Sequence, residues 1–458
     1  MNNVKIPNGV RVILNELNNN GFEAYIVGGA VRDYFLKKLP KDWDIATNAK
    51  PSDIKSIFKN THSIGEKFGM IQVLIDKEEF EVTTYRKDGN YKDSRHPEEV
   101  EFVGDIVKDL SRRDFTINAM AYDPIENKIV DPFNGQKDLK LKIVKTVGEA
   151  NNRFKEDALR MMRAVRFACK LNFSIESETF LSIINNSNTI KNISFERIRD
   201  ELIKIINSDT PSFGIRILKD SELLHEIIPE FDETVGCGQT KKYKFDVFEH
   251  TMQVIDQAKK ISEDIRDKNN INAFMFAALF HDIGKPYCIK DGVVDENLFK
   301  NHHEISFQKS KKILNRLKFD NKFKKYCQYI IRNHSIPYFS YYKNNEFGTR
   351  LAINKYGKEY IHDILTHKIA DRIGSGMNID EVEILYELRK RVKFELNNNA
   401  PTEISDLKIT GNEIIELTGF KPGPKIKEIL NLILFKVLEN PDINENRILR
   451  NIIYGISI

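Results

Sequence analysis

The segment "EAYIVGGAVRDYFL", Glu23 to Leu36, constrains the fold more than any other stretch of this chain. Ala24 to Val27 is a short apolar run of strand character. Gly28-Gly29 then breaks it with residues that tolerate backbone conformations closed to others. From Ala30 the apolar spacing becomes helical, so a strand, a turn and a helix follow within fourteen residues. That commits this end of the chain to a mixed α/β layer. The glycine turn also lets main-chain N–H groups approach an anion closely, with a helix start behind them. Arg32, in the first helical turn, offers a guanidinium suited to bidentate binding of a triphosphate. Upstream, "IPNGVRVILNELNNNG" places Val10, Ile13, Leu14 and Leu17 at helical spacing, with Gly21 as terminator.

After that helix, "KDWDIAT", Lys41 to Thr47, sets Asp42 and Asp44 around Trp43, the only tryptophan in the chain. In a strand, residues two apart share a face, so both carboxylates would point towards whatever the glycine turn holds. Two like charges at that spacing are costly alone and become an oxygen-ligand site once Mg²⁺ is present. Such a site clamps substrate phosphates and supports in-line phosphoryl transfer. The next strands are predicted in "FGMIQVLID" and "EEFEVTTYR". Glu81, on the second, is either a third carboxylate or a solvated strand position.

"RKDGNYKDSRHPEEVEF" carries charge and turn formers without apolar periodicity, which predicts a mobile loop. In "SRRDFTINAMAYDP", the stretch "DFTINAMAY" predicts a helix led by Arg112, Arg113 and Asp114. "NNRFKEDALRMMRAVRFACKL" places Asp157, Arg160, Arg163 and Arg166 at steps of three, close to one helical face. Leu159, Met162 and Val165 fill the other. An acid leading three arginines gives one face both acceptors and donors. It can read the edge of a base while neutralising phosphates.

The chain has 458 residues, room for two to four domains at about 100–200 residues each. Its hydrophobic content of 41% and charged content of 30% fit soluble globular protein with sizeable cores. The longest apolar run, Ala273 to Phe280, is far short of the roughly 20 residues a membrane helix needs. The opening "MNNVKIPNGV" has no apolar stretch of signal-peptide type. Cys169, Cys237, Cys288 and Cys327 lack paired spacing, which points to a reducing cytoplasm, while the short apolar run predicts no membrane partner. A net charge of +4 permits a nucleic-acid partner without demanding one.

These stretches resemble the class II tRNA nucleotidyltransferase and bacterial poly(A) polymerase family, within the polymerase beta-like nucleotidyltransferases. The matching residues are Gly28-Gly29-Ala30-Val31-Arg32-Asp33, Asp42-Trp43-Asp44, Arg112-Arg113-Asp114-Phe115-Thr116 and Glu156-Asp157 followed by Arg160. The resemblance implies that Asp42 and Asp44 bind catalytic Mg²⁺, and that Gly29 and Arg32, within a nucleotide site including Gly28 and Arg113, contact the phosphates. It implies that Asp157 and Arg160 hydrogen-bond the Watson–Crick edge of incoming CTP or ATP, so that side chains replace a template. Members of the family add CCA, CC alone, A alone or a poly(A) tail. Arg86, Asp88, Arg95 and Pro97 keep a complete-looking loop, and "DLKITGNEIIELTGFKPGPKIKEIL" resembles the tail of CCA-adding members. Full CCA addition to tRNA is the leading expectation, with A-only, CC-only and poly(A) addition as alternatives.

A second constellation lies further on. "FAALFHDIGKP" ends an apolar helix in His281-Asp282, followed by Gly284 and Lys285. His250 stands upstream, His303 and His334 downstream, and Asp371 closes the set within "HKIADRIGSG". Imidazoles and carboxylates suit a divalent transition metal. The pattern resembles the HD phosphohydrolase superfamily: His250, His281, Asp282 and Asp371 match its His…His-Asp…Asp signature. His303 and His334 match the extra ligands of its two-metal members, with His302 competing for the place of His303. The chemistry implied is hydrolysis of a phosphoester by a metal-activated water, with Ni, Mn, Fe or Mg²⁺ as the ion.

The fold class expected is multidomain. A polymerase beta-like α/β head over 1–147 precedes a helical neck over 148–235, an HD domain over 240–375 and a helical tail over 376–458. "ELNNNAPTEISD" reads as a loop in the tail. Basic residues of neck and tail would track RNA phosphates. The competing class is an HD phosphohydrolase with a degenerate RNA-binding head, against which intact Asp42, Asp44, Arg32 and Asp157 argue.

Overall fold

The computed structural model describes residues 6–89, 100–239, 245–289, 299–335, 345–376 and 379–456. The chain divides into two compact units, Met1–Pro229 and Glu230–Ile458.

The first unit opens with helix α1 (Asn8–Asn19), which buries Val10, Ile13, Leu14 and Leu17 as their spacing requires. Gly21, at φ +82°, terminates it. A seven-stranded sheet follows, in the order β3-β4-β5-β2-β1-β8-β9. Its strands are β1 (Ala24–Val27), β2 (Asp44–Thr47), β3 (Thr61–His62), β4 (Met70–Ile75), β5 (Glu78–Thr84), β8 (Ala121–Asp123) and β9 (Lys128–Val130). Helix α2 (Gly29–Phe35) springs from the end of β1, and α3 (Pro51–Ile57) follows β2. Gly28 between β1 and α2 takes φ +68° and ψ −129°, and a Cβ there would lie 3.0 Å from Arg113 Nη1. Only glycine fits that turn.

Three expectations are corrected. The strand forecast from Asp42 begins at Asp44, because β1 is four residues long and its last partner pair is Val27↔Asp44. The predicted helix over "DFTINAMAY" does not form. Phe115 bridges Thr146, Thr116–Asn118 makes one 3₁₀ turn, and β8 pairs with the open side of β1. The whole stretch from Asp114 to Asp123 is buried, so an extended chain packed on both faces replaces an amphipathic helix. The segment read as a mobile loop starts and finishes as an antiparallel ribbon, β6 (Arg86–Asp88) with β7 (Val100–Phe102). Of the loop residues singled out, Arg95 and Pro97 lie outside the described residues.

Helices α4 (Ile106–Ser111) and α5 (Gly135–Leu141) complete the sheet layer. Then come α6 (Ala150–Glu156), α7 (Leu159–Leu171), α8 (Ser177–Asn186), α9 (Phe195–Ile206), α10 (Pro211–Asp220) and α11 (Leu223–Ile227). Asp157 is not on the arginine helix. It caps α6 in extended backbone at φ −147°, and its carboxylate accepts from Leu159 N–H at 3.0 Å.

The second unit is helical: α12 (Val247–Ile261), α13 (Ile271–Phe280), α14 (His302–Arg316), α15 (Asn321–Asn333), α16 (Glu346–Tyr356) and α17 (Ile361–Gly374). It continues with α18 (Ile379–Asn397), α19 (Gly411–Thr418), α20 (Pro424–Glu439) and α21 (Asn446–Ile456). Helix α13 is buried from Ala273 to Phe280, so its apolar run is core. The stretch read as a tail loop begins inside α18 and ends in a 3₁₀ turn, Ile404–Asp406. Among the described residues, no helix is long and apolar enough to cross a membrane.

Gly28→Ala is expected to destabilise the first unit by about 1–3 kcal/mol, the cost of forcing a side chain into that backbone region. Urea unfolding followed by circular dichroism measures it.

Candidate active site and metal centre

A cavity of about 620 Å³ opens where the glycine turn, β2 and α7 meet. Its wall holds Gly28, Gly29, Asp42, Asp44, Asp114, Asn118 and Asp157, with Phe167 at one side. Eight cations join them: Arg32, Arg112, Arg113, Arg160, Arg163, Arg166, Lys170 and Arg197. Cations outnumber carboxylates two to one, the balance a triphosphate needs.

Each guanidinium is braced. Arg32 is buried and donates to Asn118 Oδ1 (2.7 Å) and Asp33 Oδ1 (2.8 Å). Arg113 donates to Asp109 Oδ2 at 3.1 Å. Arg163 donates through Nε and Nη2 to Asp114 Oδ2, at 2.9 and 2.5 Å. Arg166 pairs with Glu201 at 2.7 Å and lies 4.2 Å from the centre of the Phe167 ring. Arg160 is held by Glu156 and by the main-chain oxygens of Arg112 and Arg153. Asp157 accepts from Arg197 Nη2 at 2.7 Å. Side chains fixed this way present a set edge at little ordering cost.

Burial is the largest influence on Asp44 and raises its pKa; Arg113 pulls it down, and Asp42 pushes it up. Glu81 is exposed on β5, and its pKa is raised by burial, then by Asp44 and Asp42. The β2–β5 register pairs Ile45 with Val82, so Glu81 is the neighbour of Asp44 one step back. Glu81 faces a second cavity rather than the cationic one.

In the second unit, α12, α13, α14, α15 and α17 converge on two groups: His250, His281 and Asp371, and Asp282, His302 and His334. Three of these rings are fixed alike. Nδ1 of His281 donates to Ala278 O (2.8 Å), that of His302 to Phe299 O (2.5 Å) and that of His334 to Ile331 O (2.6 Å). A carbonyl can only accept, so the proton sits on Nδ1 and each Nε2 turns a lone pair inward. Nε2 of His302 is 2.9 Å from that of His334, and Nε2 of His250 is 3.2 Å from that of His281. Asp282 lies 3.1 Å from His281 and 3.2 Å from His302. Burial pushes the His334 pKa down to about 3. Asp282 is buried, and the ammonium of Lys285 pairs with it at 2.6 Å. Bare imidazole lone pairs and ionised carboxylates facing one another are the donor set of a divalent transition metal.

Residues 24–145 match the Poly A polymerase head domain, residues 172–234 the probable RNA and SrmB-binding site of polymerase A, and residues 247–376 the HD domain. The chain is 46% identical over 215 residues to a CCA-adding enzyme of Lactobacillus johnsonii, covering 47% of this chain and 54% of that protein. It is 33% identical over 450 residues to the CCA-adding enzyme of Ligilactobacillus salivarius, covering 95% of this chain and 93% of the relative. The Bacillus stearothermophilus CCA-adding enzyme in complex with CTP superposes at a TM-score of 0.70 and 28% identity, over 99% and 98% of the two chains. The chain belongs to the CCA-adding enzyme family. It is a nucleotidyltransferase with an HD domain, and both parts belong to metal-dependent families.

Gly28, Gly29, Arg32, Asp42, Asp44, Arg113, Asp157, Arg160, Arg163 and Arg166 all line one cavity in this CCA-adding enzyme family member. Lys170 and Arg197 were not foreseen. Lys170 extends the arginine stripe by one helical step of four, a legible signal; Arg197 belongs to a distant helix and left none. In the HD domain, His302 takes the place expected of His303. Helix α14 starts at His302, whose face continues through the fully buried Ser306 and Ser310 at steps of four. His303 points elsewhere.

His302→Ala is expected to lose most of the metal bound to the second unit, and His303→Ala to keep it. Elemental analysis of dialysed protein checks this.

Proposed function

We propose that this chain adds C, C and A in turn to the 3′ end of tRNA, from CTP and ATP and without a nucleic-acid template, in the cytoplasm. The carrying observation is the placement of Asp42 and Asp44 on the wall of a cavity lined by eight cations. The relative solved with CTP, similar over nearly its whole length, supports the same reading.

Asp42 and Asp44 hold Mg²⁺, with Glu81 beside them on the sheet; when bound, the ion neutralises charge on the reacting phosphate. Gly28, Gly29, Arg32 and Arg113 receive the triphosphate. The 3′-oxygen of the tRNA bonds to the α-phosphorus, pyrophosphate leaves with the bridging oxygen, and the hydroxyl proton passes to water. Asp157, oriented by Arg197, accepts from the exocyclic amino group that cytosine and adenine share. Arg160, held from below by Glu156, donates to the ring edge. Arg163 and Arg166, tied to Asp114 and Glu201, act as fixed positive charge.

We further propose that His250, His281, Asp282, His302, His334 and Asp371 hold Ni, Mn, Fe or Mg²⁺ and support phosphoester hydrolysis, with Lys285, 2.6 Å from Asp282, near the substrate phosphate. The inward imidazole lone pairs favour this reading. Hydrolysis of a 2′,3′-cyclic nucleotide by wild type, and its loss in His281→Ala with Asp282→Ala, is the measurement.

For transfer, the chain is incubated with tRNA ending at the discriminator base, Mg²⁺, CTP and ATP, and the products are sequenced. Addition of CCA is expected. Asp42→Asn and Asp44→Asn should each abolish it while tRNA binding survives; near wild-type addition in both would sink the two-carboxylate mechanism.

Asp157→Ala should lower discrimination against UTP and GTP on the order of tenfold or more, since an unpaired hydrogen-bonding group costs about 1–3 kcal/mol. Competition between nucleotides in single-addition assays measures it.

A further inference from the structure

Asp42 and Asp44 also border a second cavity, of about 610 Å³, whose character is opposite to the first. Its acids are Asp42, Asp44, Glu78, Glu79 and Glu81, opposed by one lysine, Lys41. The only tryptophan of the chain, Trp43, half-buried, and Leu39, 78% exposed, supply its apolar surface together with Pro7, Pro40 and Phe80.

We propose that this second cavity receives the 3′-terminal nucleotide of the RNA being extended, with Trp43 as the platform on which its base stacks. The proposal rests on the nucleotidyltransferase reading above and adds a positioning residue to it. Three observations lead there. First, in-line displacement needs the attacking hydroxyl to approach the α-phosphate opposite the leaving pyrophosphate. The two carboxylates are common to both cavities, so a triphosphate in the cationic one leaves the acidic one for the hydroxyl.

Second, charge sorts the two substrates. Five carboxylates repel a triphosphate, whereas a terminal ribose and base enter as neutral, hydrogen-bonding groups, with their single phosphate trailing outside. Ribose hydroxyls can donate to Glu81, the neighbour of Asp44 across the β2–β5 pair. Third, the terminal base differs at each step: the discriminator base, then C, then C. A site reading base edges would fail at one of these steps. Stacking on an indole is indifferent to sequence, because every base has a π-face. Trp43 lines the same cavity as both carboxylates, so a base stacked on it holds its own 3′-hydroxyl on their side.

The test uses the full chain and tRNA lacking CCA. Because Trp43 is the sole tryptophan, its emission reports this cavity alone. Titration with tRNA is expected to quench it, and CTP with Mg²⁺ alone is expected to leave it nearly unchanged. Trp43→Ala should raise KM for tRNA about fivefold or more, with KM for CTP unchanged and kcat at saturating tRNA largely kept; Trp43→Phe should restore most of the loss. The proposal is overturned if emission answers CTP but not tRNA, if KM for tRNA is unchanged, or if kcat falls with KM intact. The last pattern makes Trp43 a mere support for the carboxylates. Failure of wild type to add any nucleotide would instead remove the underlying transfer reading.

Discussion

The cationic cavity depends on one buried carboxylate, that of Asp114. It accepts two hydrogen bonds from Arg163 on α7, one from Asn118 Nδ2 at 3.2 Å and one from the Phe115 N–H at 2.8 Å. Asn118 in turn accepts from Arg32 on α2. A continuous polar relay thus runs from the glycine-turn helix, through the turn after α4, to the arginine helix. Burial is the largest influence on Asp114 and would raise its pKa, but Arg163 and Asn118 more than offset it and hold the group ionised. A buried charge of this kind is tolerable only when several donors meet it. Removing any partner would leave the others stranded, so the relay fixes the cavity's geometry as a unit.

Asp42 and Asp44, the carboxylates proposed to be catalytic, are treated in the opposite way. Among the described residues, Asp44 has Arg113 nearby but no guanidinium clamped onto it, and burial together with Asp42 raises its pKa. The arginines around it are instead spent on other acids: Arg112 and Arg113 on Asp109, Arg163 on Asp114, Arg166 on Glu201. Structural acids absorb the local cations and leave Asp42 and Asp44 short of a partner. A divalent cation with its triphosphate would relieve the repulsion between them, which suits the pair to the binding role proposed above rather than to bracing.

Much of this was legible in the chain. The strand, glycine turn and helix from Ala24 to Phe35, the burial of α1, and the two strands carrying Gln72 and Glu81 follow from local periodicity. Ten of the candidate site residues line one cavity, and they are legible because each lies in a short motif with its own chemistry. What escaped is non-local. Local pattern reads residues 114–122 as helical, whereas Ala121 and Tyr122 pair with β1, a strand about ninety residues earlier that needed a partner on its free side. Arg197 reaches Asp157 across forty positions, and nothing in "SFERIRDEL" announces it. His302 rather than His303 was decidable in principle, since only the helix beginning at His302 puts small buried serines on the same face.

The two proposed cation sites differ in their donors. In the first unit the candidate ligands are carboxylates on a strand and its approach, with an exposed third acid beside them and open cavities on both sides. Hard oxygen donors with space for substrate oxygens suit an ion that keeps part of its coordination sphere for phosphates. In the second unit the ligands are mostly buried imidazoles, and three of them are locked in tautomer and direction by main-chain carbonyls at helix ends. Rigid nitrogen donors suit a transition metal held in fixed geometry. The candidate ligand sets share no residue, and each lies within its own unit. Neither site needs the other's ion for its donors to be in place, so loss of one metal leaves the remaining site's ligands oriented.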